Sequence, residues 1–241
     1  MMFGILFIIL YNVRVLAMKP IFVTGSTSKL GQSVVKKLTI DGYKTRCLVR
    51  NHNKAFELYG DNSNVELVSG DILNKECLTH LMTGCSMSLN LHGTTRITTP
   101  FYNWDTNRDY SHPFYVNYQG MENILESCEY NNISRVIRTT GLATEFNNLN
   151  PISVIFNCIY SNNIYWHKKS ESLIRSKDIT YTIVKPGGIK DQNFDSFLVS
   201  FDSLNPPSNI GIDNLSELLK LCITSDYYSN KIIFCKGYNN T

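Results

Sequence analysis

The chain has 241 residues, 43% of them apolar and 18% charged, with a formal net charge of +3. This is the composition of a globular protein with room for a sizeable core, and it excludes collagen-like and intrinsically disordered chains. The small positive charge forms no dense Lys/Arg stripe, Lys168-Lys169 being only a doublet, so nucleic acid is not an expected partner.

The first 18 residues stand apart from the rest. MMFGILFIILY is a continuous apolar run, followed by Val15-Leu16-Ala17, a small-residue pattern suited to signal cleavage. The run is too short for a stable membrane span and lacks a basic n-region. Residues 1–18 read as a targeting segment, which would place the protein in an organelle, or, for a cytoplasmic protein, as an unremoved hydrophobic extension or the product of a misplaced start codon, Met18-Lys19 standing directly before the first strand.

Residues 19–241 read as one domain. Pro20–Thr24 is an apolar strand entering a Gly/Ser turn, after which Leu30, Val34 and Leu38 recur every fourth residue, so the spacing predicts a helix that stops at Asp41-Gly42. Thr45–Val49 and Val65–Val68 read as strands joined by an Asn-rich polar linker. A short helix is expected over Asn74–Met82, closed by Gly84, and a fourth strand over Met87–Leu91. Gly93–Ser111 is aromatic and irregular, a long functional loop. Met121, Ile124, Leu125 and Cys128 predict an amphipathic helix, with Met121 as core, and Arg135–Thr139 a fifth strand. Trp166–Ser176 (helix, Trp166 as core), Tyr181–Lys185 (strand), Leu215–Cys222 (helix) and Lys231–Cys235 (strand) complete the series. Short β-branched runs alternating with helical periods predict a Rossmann-type, doubly wound α/β fold: a mostly parallel sheet with helices on both faces.

Seven cysteines (Cys47, Cys77, Cys85, Cys128, Cys158, Cys222, Cys235) show neither a CxxC pair nor Cys/His zinc spacing. Reduced, buried thiols are expected, and no metal site. The chemistry points instead to the first strand–helix turn, Thr24-Gly25-Ser26-Thr27-Ser28-Lys29-Leu30-Gly31, where a dinucleotide pyrophosphate meets backbone N–H groups and the positive end of a helix. Gly25 allows the tight turn and Gly31 the close helix approach. Ser28 stands where the pattern has its middle glycine and is expected to weaken the fit. Arg50 ends the second strand where an NAD site would carry an acid, and an arginine suits a 2′-phosphate, so NADP(H) is favoured over NAD(H); the alternative is an ordinary solvated strand-end charge. Gly70-Asp71 is open between an adenine contact and a plain turn with a helix cap.

With these residues in view, the chain resembles the atypical short-chain dehydrogenase/reductase proteins whose NAD(P)-binding domain is of the NmrA-like kind. The resemblance is carried by TGSTSKLG (24–31), CLVRN (47–51), SGD (69–71), VNYQGMENILESC (116–128), ESLIRSKDITYTIVKPGGI (171–189) and GIDNLSELL after Ile210, and it spans nearly all of residues 19–238. It implies that Gly25, Thr27, Lys29 and Leu30 line the pyrophosphate, Arg50 the ribose phosphate and Asp71 the adenine, and that Gly93, Lys169 and Pro186-Gly187-Gly188 border the nicotinamide. Departures are Ser28, and Lys177-Asp178 where the family commonly has Ser-Gly.

Reductases of this superfamily pair a Tyr with a Lys four residues later, which adjacent helical turns bring together. Three such pairs occur. Tyr181/Lys185 falls in a predicted strand, where four residues span roughly 13 Å, and Tyr227/Lys231 straddles the approach to the last strand. Tyr165/Lys169 alone sits on a helix at the family's position. If the set acts, Lys169 favours the Tyr165 phenolate, Tyr165 passes a proton to a carbonyl oxygen as hydride arrives, and Thr140 holds that oxygen; the competing reading keeps Lys169 as a cofactor ligand alone. The expected function is an NADPH-dependent oxidoreductase acting on a small carbonyl-type substrate. The alternative is a non-catalytic NADPH-sensing regulatory or scaffold protein. Substrate identity and oligomeric state are not legible.

Overall fold

The computed structural model describes residues 19–94, 96, 109–147, 150–204 and 208–239. The apolar run at 1–18 and the centre of the expected long loop lie outside these residues.

The expected elements form. β1 (Ile21–Thr24), β2 (Thr45–Val49), β3 (Val65–Ser69), β4 (Met87–Asn90), β5 (Arg135–Thr139), β6 (Thr180–Pro186) and β10 (Lys231–Tyr238) pair in parallel, and β8 (Ser196–Ser200) closes one edge antiparallel to β10. The strand order is β3-β2-β1-β4-β5-β6-β10-β8, while β7 (Gly188–Lys190) and β9 (Asn209–Gly211) form a separate parallel pair. The fold is therefore a doubly wound Rossmann-type sheet. From β1 the chain moves outward to β2 and β3, then returns to place β4 on the other side of β1, and ligands of such sheets bind at that reversal, beyond the carboxyl ends of the strands.

Two cores cover the two faces, and strand alternation assigns each residue. Ile21 and Val23 of β1 join Val34 and Leu38 of α1 (Lys29–Ile40), Ala55 and Tyr59 of α2 (His52–Tyr59) and Leu215, Leu219 and Cys222 of α7 (Ile212–Thr224). Phe22, between them, faces Leu78 of α3 (Lys75–Leu81), Met121 and Ile124 of α4 (Gly120–Tyr130) and Ile174 of α6 (Asn163–Ser176). Each such side chain contributes about 1.5–3 kcal/mol when fully buried. Met121 is fully buried as expected, whereas Trp166 is half-buried, its ring 4.8 Å from that of Phe114.

Three departures from the sequence reading have physical causes. The Asn-rich linker contains α2, which buries only Ala55 and Tyr59 and leaves Phe56 and Leu58 exposed, so no apolar stripe advertises it. α5 (Pro151–Ile159) is a nine-residue, strongly apolar and β-branched run, short enough to be ambiguous between a buried strand and a helix. α4 is entered through a π-helical turn, Phe114–Gln119, that brings Asn117 to full burial. None of the seven cysteines is in a disulfide; five are buried as expected, whereas Cys77 is half-buried and Cys158 exposed. Burial pushes the thiols of Cys47 and Cys128 up to about 11 and about 12, so neither is a reactive thiolate. Among the described residues no helix is long and apolar enough to cross a membrane.

Candidate functional site

A cleft of about 770 Å³ opens at the β1/β4 reversal. Thr24, Gly25, Thr27 and Ser28 form its base, Leu48 to Asn51 with Lys54 one wall, Gly70 to Leu73 a second, and Leu91 to Thr94 the third. The turn after β1 is built from backbone. Gly25 has φ +73°, and a β-carbon there would stand 2.7 Å from the Leu91 carbonyl carbon; one on Gly31 would fall against the Gly25 carbonyl oxygen. Ser28 caps α1: its Oγ accepts from the Gly31 N–H at 3.0 Å and donates to the Gly25 oxygen at 2.8 Å. Ahead of the first intrahelical bond, the Lys29 and Leu30 N–H groups lack a helical acceptor, and no acidic side chain occupies that turn. A glycine cradle at a positive helix end fits the pyrophosphate of a dinucleotide.

Of the expected cofactor residues, Gly25, Thr27, Ser28, Arg50, Asp71 and Gly93 line this cleft. The Leu30 side chain is in the core and Gly31 serves the turn's packing, leaving backbone alone. The Lys29 ammonium pairs with Asp191, just beyond β7. Asp71 lines the cleft and also accepts the Leu73 N–H at 2.9 Å, so its carboxylate closes a turn. Arg50 is joined by Lys54, which the sequence reading passed over.

Pro186 and Gly187 line a second cavity of about 550 Å³, together with Thr140. Its walls are largely apolar, with Leu142 and Ala143 from the 3₁₀ turn Leu142–Glu145, Phe156 from α5, and Tyr160 and Ile164. The cleft and the cavity meet: a β-carbon on Gly93, of the cleft, would lie 3.9 Å from Cε1 of His167, of the cavity.

α6 decides which titratable groups face that junction. Asn163, Ile164 and His167 line the cavity, and Glu171, one turn on, is buried behind it. Tyr165 and Lys169 each stand two residues from His167, about 200° around the helix, and line neither cavity. They do meet one another, the Lys169 ammonium standing 5.5 Å from the Tyr165 ring centroid, and the ring packs on Trp166 at 4.8 Å. The structure thus brings Tyr165 to Lys169 and neither of them to Thr140, because α6 is rotated to put His167 and Glu171 inward.

Beneath the cavities lies a buried polar chain. Arg138 of β5 is completely buried; its Nη1 donates to the His92 carbonyl oxygen at 2.7 Å and lies 3.0 Å from His92 Nε2, while Nε and Nη2 have no protein partner. Burial pushes its guanidinium down to about 10, against the pull of Glu171. Burial first, then the Arg138 charge, lowers His167 to about 3 and His92 well below the ordinary range, so both are neutral near pH 7. Since Arg138 can only donate, neutral His92 accepts at Nε2 and donates from Nδ1 to Thr24 Oγ1, 2.7 Å away. Nearby, the Thr140 hydroxyl donates to Glu171 Oε1 at 2.6 Å, Glu171 Oε2 lies 2.7 Å from the Lys185 ammonium, and Lys185 also pairs with Glu145. Sequence reading assigned no role to His92, Arg138, His167, Glu171 or Lys185. The available signal was a cation inside an apolar parallel strand, in RVIRT and again in TYTIVKP, where both faces are covered.

The NAD(P)H-binding family matches residues 25–208. The chain belongs to that family. Family relatives include the chloroplastic protein TIC 62 of Pisum sativum, 26% identical over 70% of this chain and 33% of that protein, and the photosystem II assembly factor Ycf39 of Cyanidium caldarium, 33% identical over 44% of this chain and 31% of that protein. The chain thus spans about a third of the length of these relatives. Among solved structures, a short-chain dehydrogenase/reductase from Veillonella parvula in complex with NADP superposes with TM-score 0.70 at 13% identity, covering 90% of this chain and 94% of that one. An oxidoreductase from Lactococcus lactis gives TM-score 0.70 at 18% identity, with 92% of each chain covered. The two structures show the fold that the motif resemblance implies, and the family model shows the NAD(P)H-binding domain.

Proposed function

We propose that the protein is an NADP(H)-dependent oxidoreductase acting on a small carbonyl-type compound or its alcohol. The observation that carries this reading is the adjacency of the glycine-turn cleft to a mostly apolar cavity, their walls touching at Gly93 and His167. Bound NADP(H) supplies hydride chemistry there. Arg50 and Lys54 hold the 2′-phosphate, two cations where an NAD-selective site needs a carboxylate. Thr140 and His167 border the reacting oxygen, and His167, neutral and sharing the cavity with Thr140, takes the polarising role that Tyr165 and Lys169 would need a different helix rotation to fill. The relatives named chloroplastic support an organellar location, with residues 1–18 as the targeting segment.

The test is a fluorescence titration with NADPH and with NADH, followed by NADPH oxidation with 2-naphthaldehyde as the carbonyl probe. NADPH is expected to bind more tightly, and Arg50→Ala to weaken it about tenfold, one charge-assisted hydrogen bond, with NADH unaffected. Equal affinities for the two nucleotides would sink the NADP(H) preference. NADPH binding with neither NADPH oxidation by a carbonyl probe nor NADP+ reduction by 2-naphthalenemethanol would favour a second reading, a cofactor-occupancy sensor, which the assembly-factor relatives also support.

A further inference from the structure

We infer that the apolar cavity is built for a neutral ligand carrying a hydroxyl group, and that this hydroxyl donates its hydrogen to Thr140 Oγ1. The inference rests on the reading of this cavity as the substrate side of the site, and it names the substrate's recognised form.

Three observations carry it. The first is charge: none of the described side chains lining the cavity bears one, and the one titratable imidazole, His167, is held neutral. A buried ion would have no counter-charge on these walls, so a neutral molecule is selected. Shape is the second. Leu142, Phe146, Phe156, Tyr160 and Ile164 suit an aromatic or branched apolar body.

The third is hydrogen-bond polarity. Thr140 has one hydrogen, and it is committed to Glu171 at 2.6 Å. Glu171 is itself fixed, its other oxygen 2.7 Å from Lys185, so within this ion pair it offers acceptors only. The Thr140 N–H, bonded to the Val184 carbonyl at 2.9 Å, locks the residue between β5 and β6. Toward the cavity Thr140 therefore presents a lone pair. A ligand hydroxyl can donate to it, whereas a carbonyl or ether oxygen would set lone pair against lone pair. His167, held neutral, shares this wall and adds no charge to it. Glu171 and Lys185 touch no ligand in this scheme; they position the Thr140 hydrogen.

The experiment uses the full chain and three naphthyl probes: 2-naphthalenemethanol, its methyl ether and 2-naphthaldehyde, with binding read by fluorescence. Wild type is expected to bind the alcohol about tenfold more tightly than the ether, the worth of one hydrogen bond onto a charge-backed acceptor. Thr140→Val, of matched shape, should bring the two to parity, and Thr140→Ser should restore the preference. In Glu171→Gln, Lys185 takes the amide oxygen, so the amide N–H₂ turns to Thr140 and drives its hydrogen into the cavity. The preference should then invert toward the aldehyde. If Glu171→Gln fails to fold, the two Thr140 variants decide alone. Equal affinity of wild type for alcohol and ether, no response to Thr140→Val, or no binding of any probe would overturn the inference. NADPH affinity is measured on the same preparations: loss of NADPH binding with the alcohol preference intact would sink the proposed function and leave this inference standing.

Discussion

The two hollows that meet at Gly93 are made in opposite ways. The cofactor cleft is a work of backbone: a glycine at φ +73°, a helix end and three strand ends, with its cations exposed at the rim. The second cavity is a work of side chains: mostly apolar walls laid over an ionic chain, Glu145–Lys185–Glu171–Thr140, whose two inner members are almost fully buried. The first should tolerate exchange of most side chains and resist a single methyl group at Gly25 or Gly31. The second should behave in the reverse sense.

The largest effect should come from the ionic chain. Lys185→Met leaves the Glu171 carboxylate buried without its cation, and breaking a buried pair this way costs about 3–5 kcal/mol; urea unfolding of the variant checks it. Adding Glu171→Gln should return part of that stability, and a Lys185→Met protein as stable as wild type would erase the contrast between the halves. Next in size is Gly31→Ala, whose β-carbon collides with the Gly25 carbonyl. Overpacking of this kind costs about 1–3 kcal/mol, and here it should appear as loss of NADPH binding with naphthyl-probe binding kept, by titration of both. Counted per residue, the smallest effect is in acid. Burial lowers His167 to about 3 and His92 well below 6.5, so as pH falls below 6.5 the unfolded chain binds protons that the folded chain does not. Stability must then fall as pH drops below 6.5, by about 1.4 kcal/mol per histidine at one unit below. A denaturation midpoint series from pH 7.5 to 5 reads this, and His167→Gln should flatten part of the slope.

The same contrast explains what was legible in the sequence. Gly25, Ser28 and Gly31 announce the turn because their conformational meaning is local, and the strand–helix alternation announces the sheet for the same reason. Ser28 was legible as a missing glycine but not as the cap that closes α1, which depends on where its hydroxyl lands. In the second cavity the decisive fact is the rotation of α6. The spacing of Tyr165 and Lys169 shows that they share a face; only the packing of Ile164, Ser170 and Ile174 inward sets which face that is. Lys185 sits in a Tyr-x-x-x-Lys spacing dismissed on strand geometry, and its partners are 14 and 40 residues away in the chain. α2 and α5 were missed because one carries too little apolar signal and the other too much.

Asn117, turned inward by the π-helical turn, holds the two halves together. Its Oδ1 accepts the Thr94 N–H at 3.2 Å on the cleft side, and its Nδ2 donates to Asn163 Oδ1 at 2.7 Å on the cavity side. One rigid amide thus touches a wall of each chamber, and whatever displaces Thr94 is felt at Asn163. Any coupling carried by that shared strut would be reciprocal by thermodynamic necessity: the factor by which a nucleotide tightened the hydroxyl ligand would be the factor by which that ligand tightened the nucleotide. A catalyst would use such linkage to order its substrates, and a sensor would use the same linkage as its output.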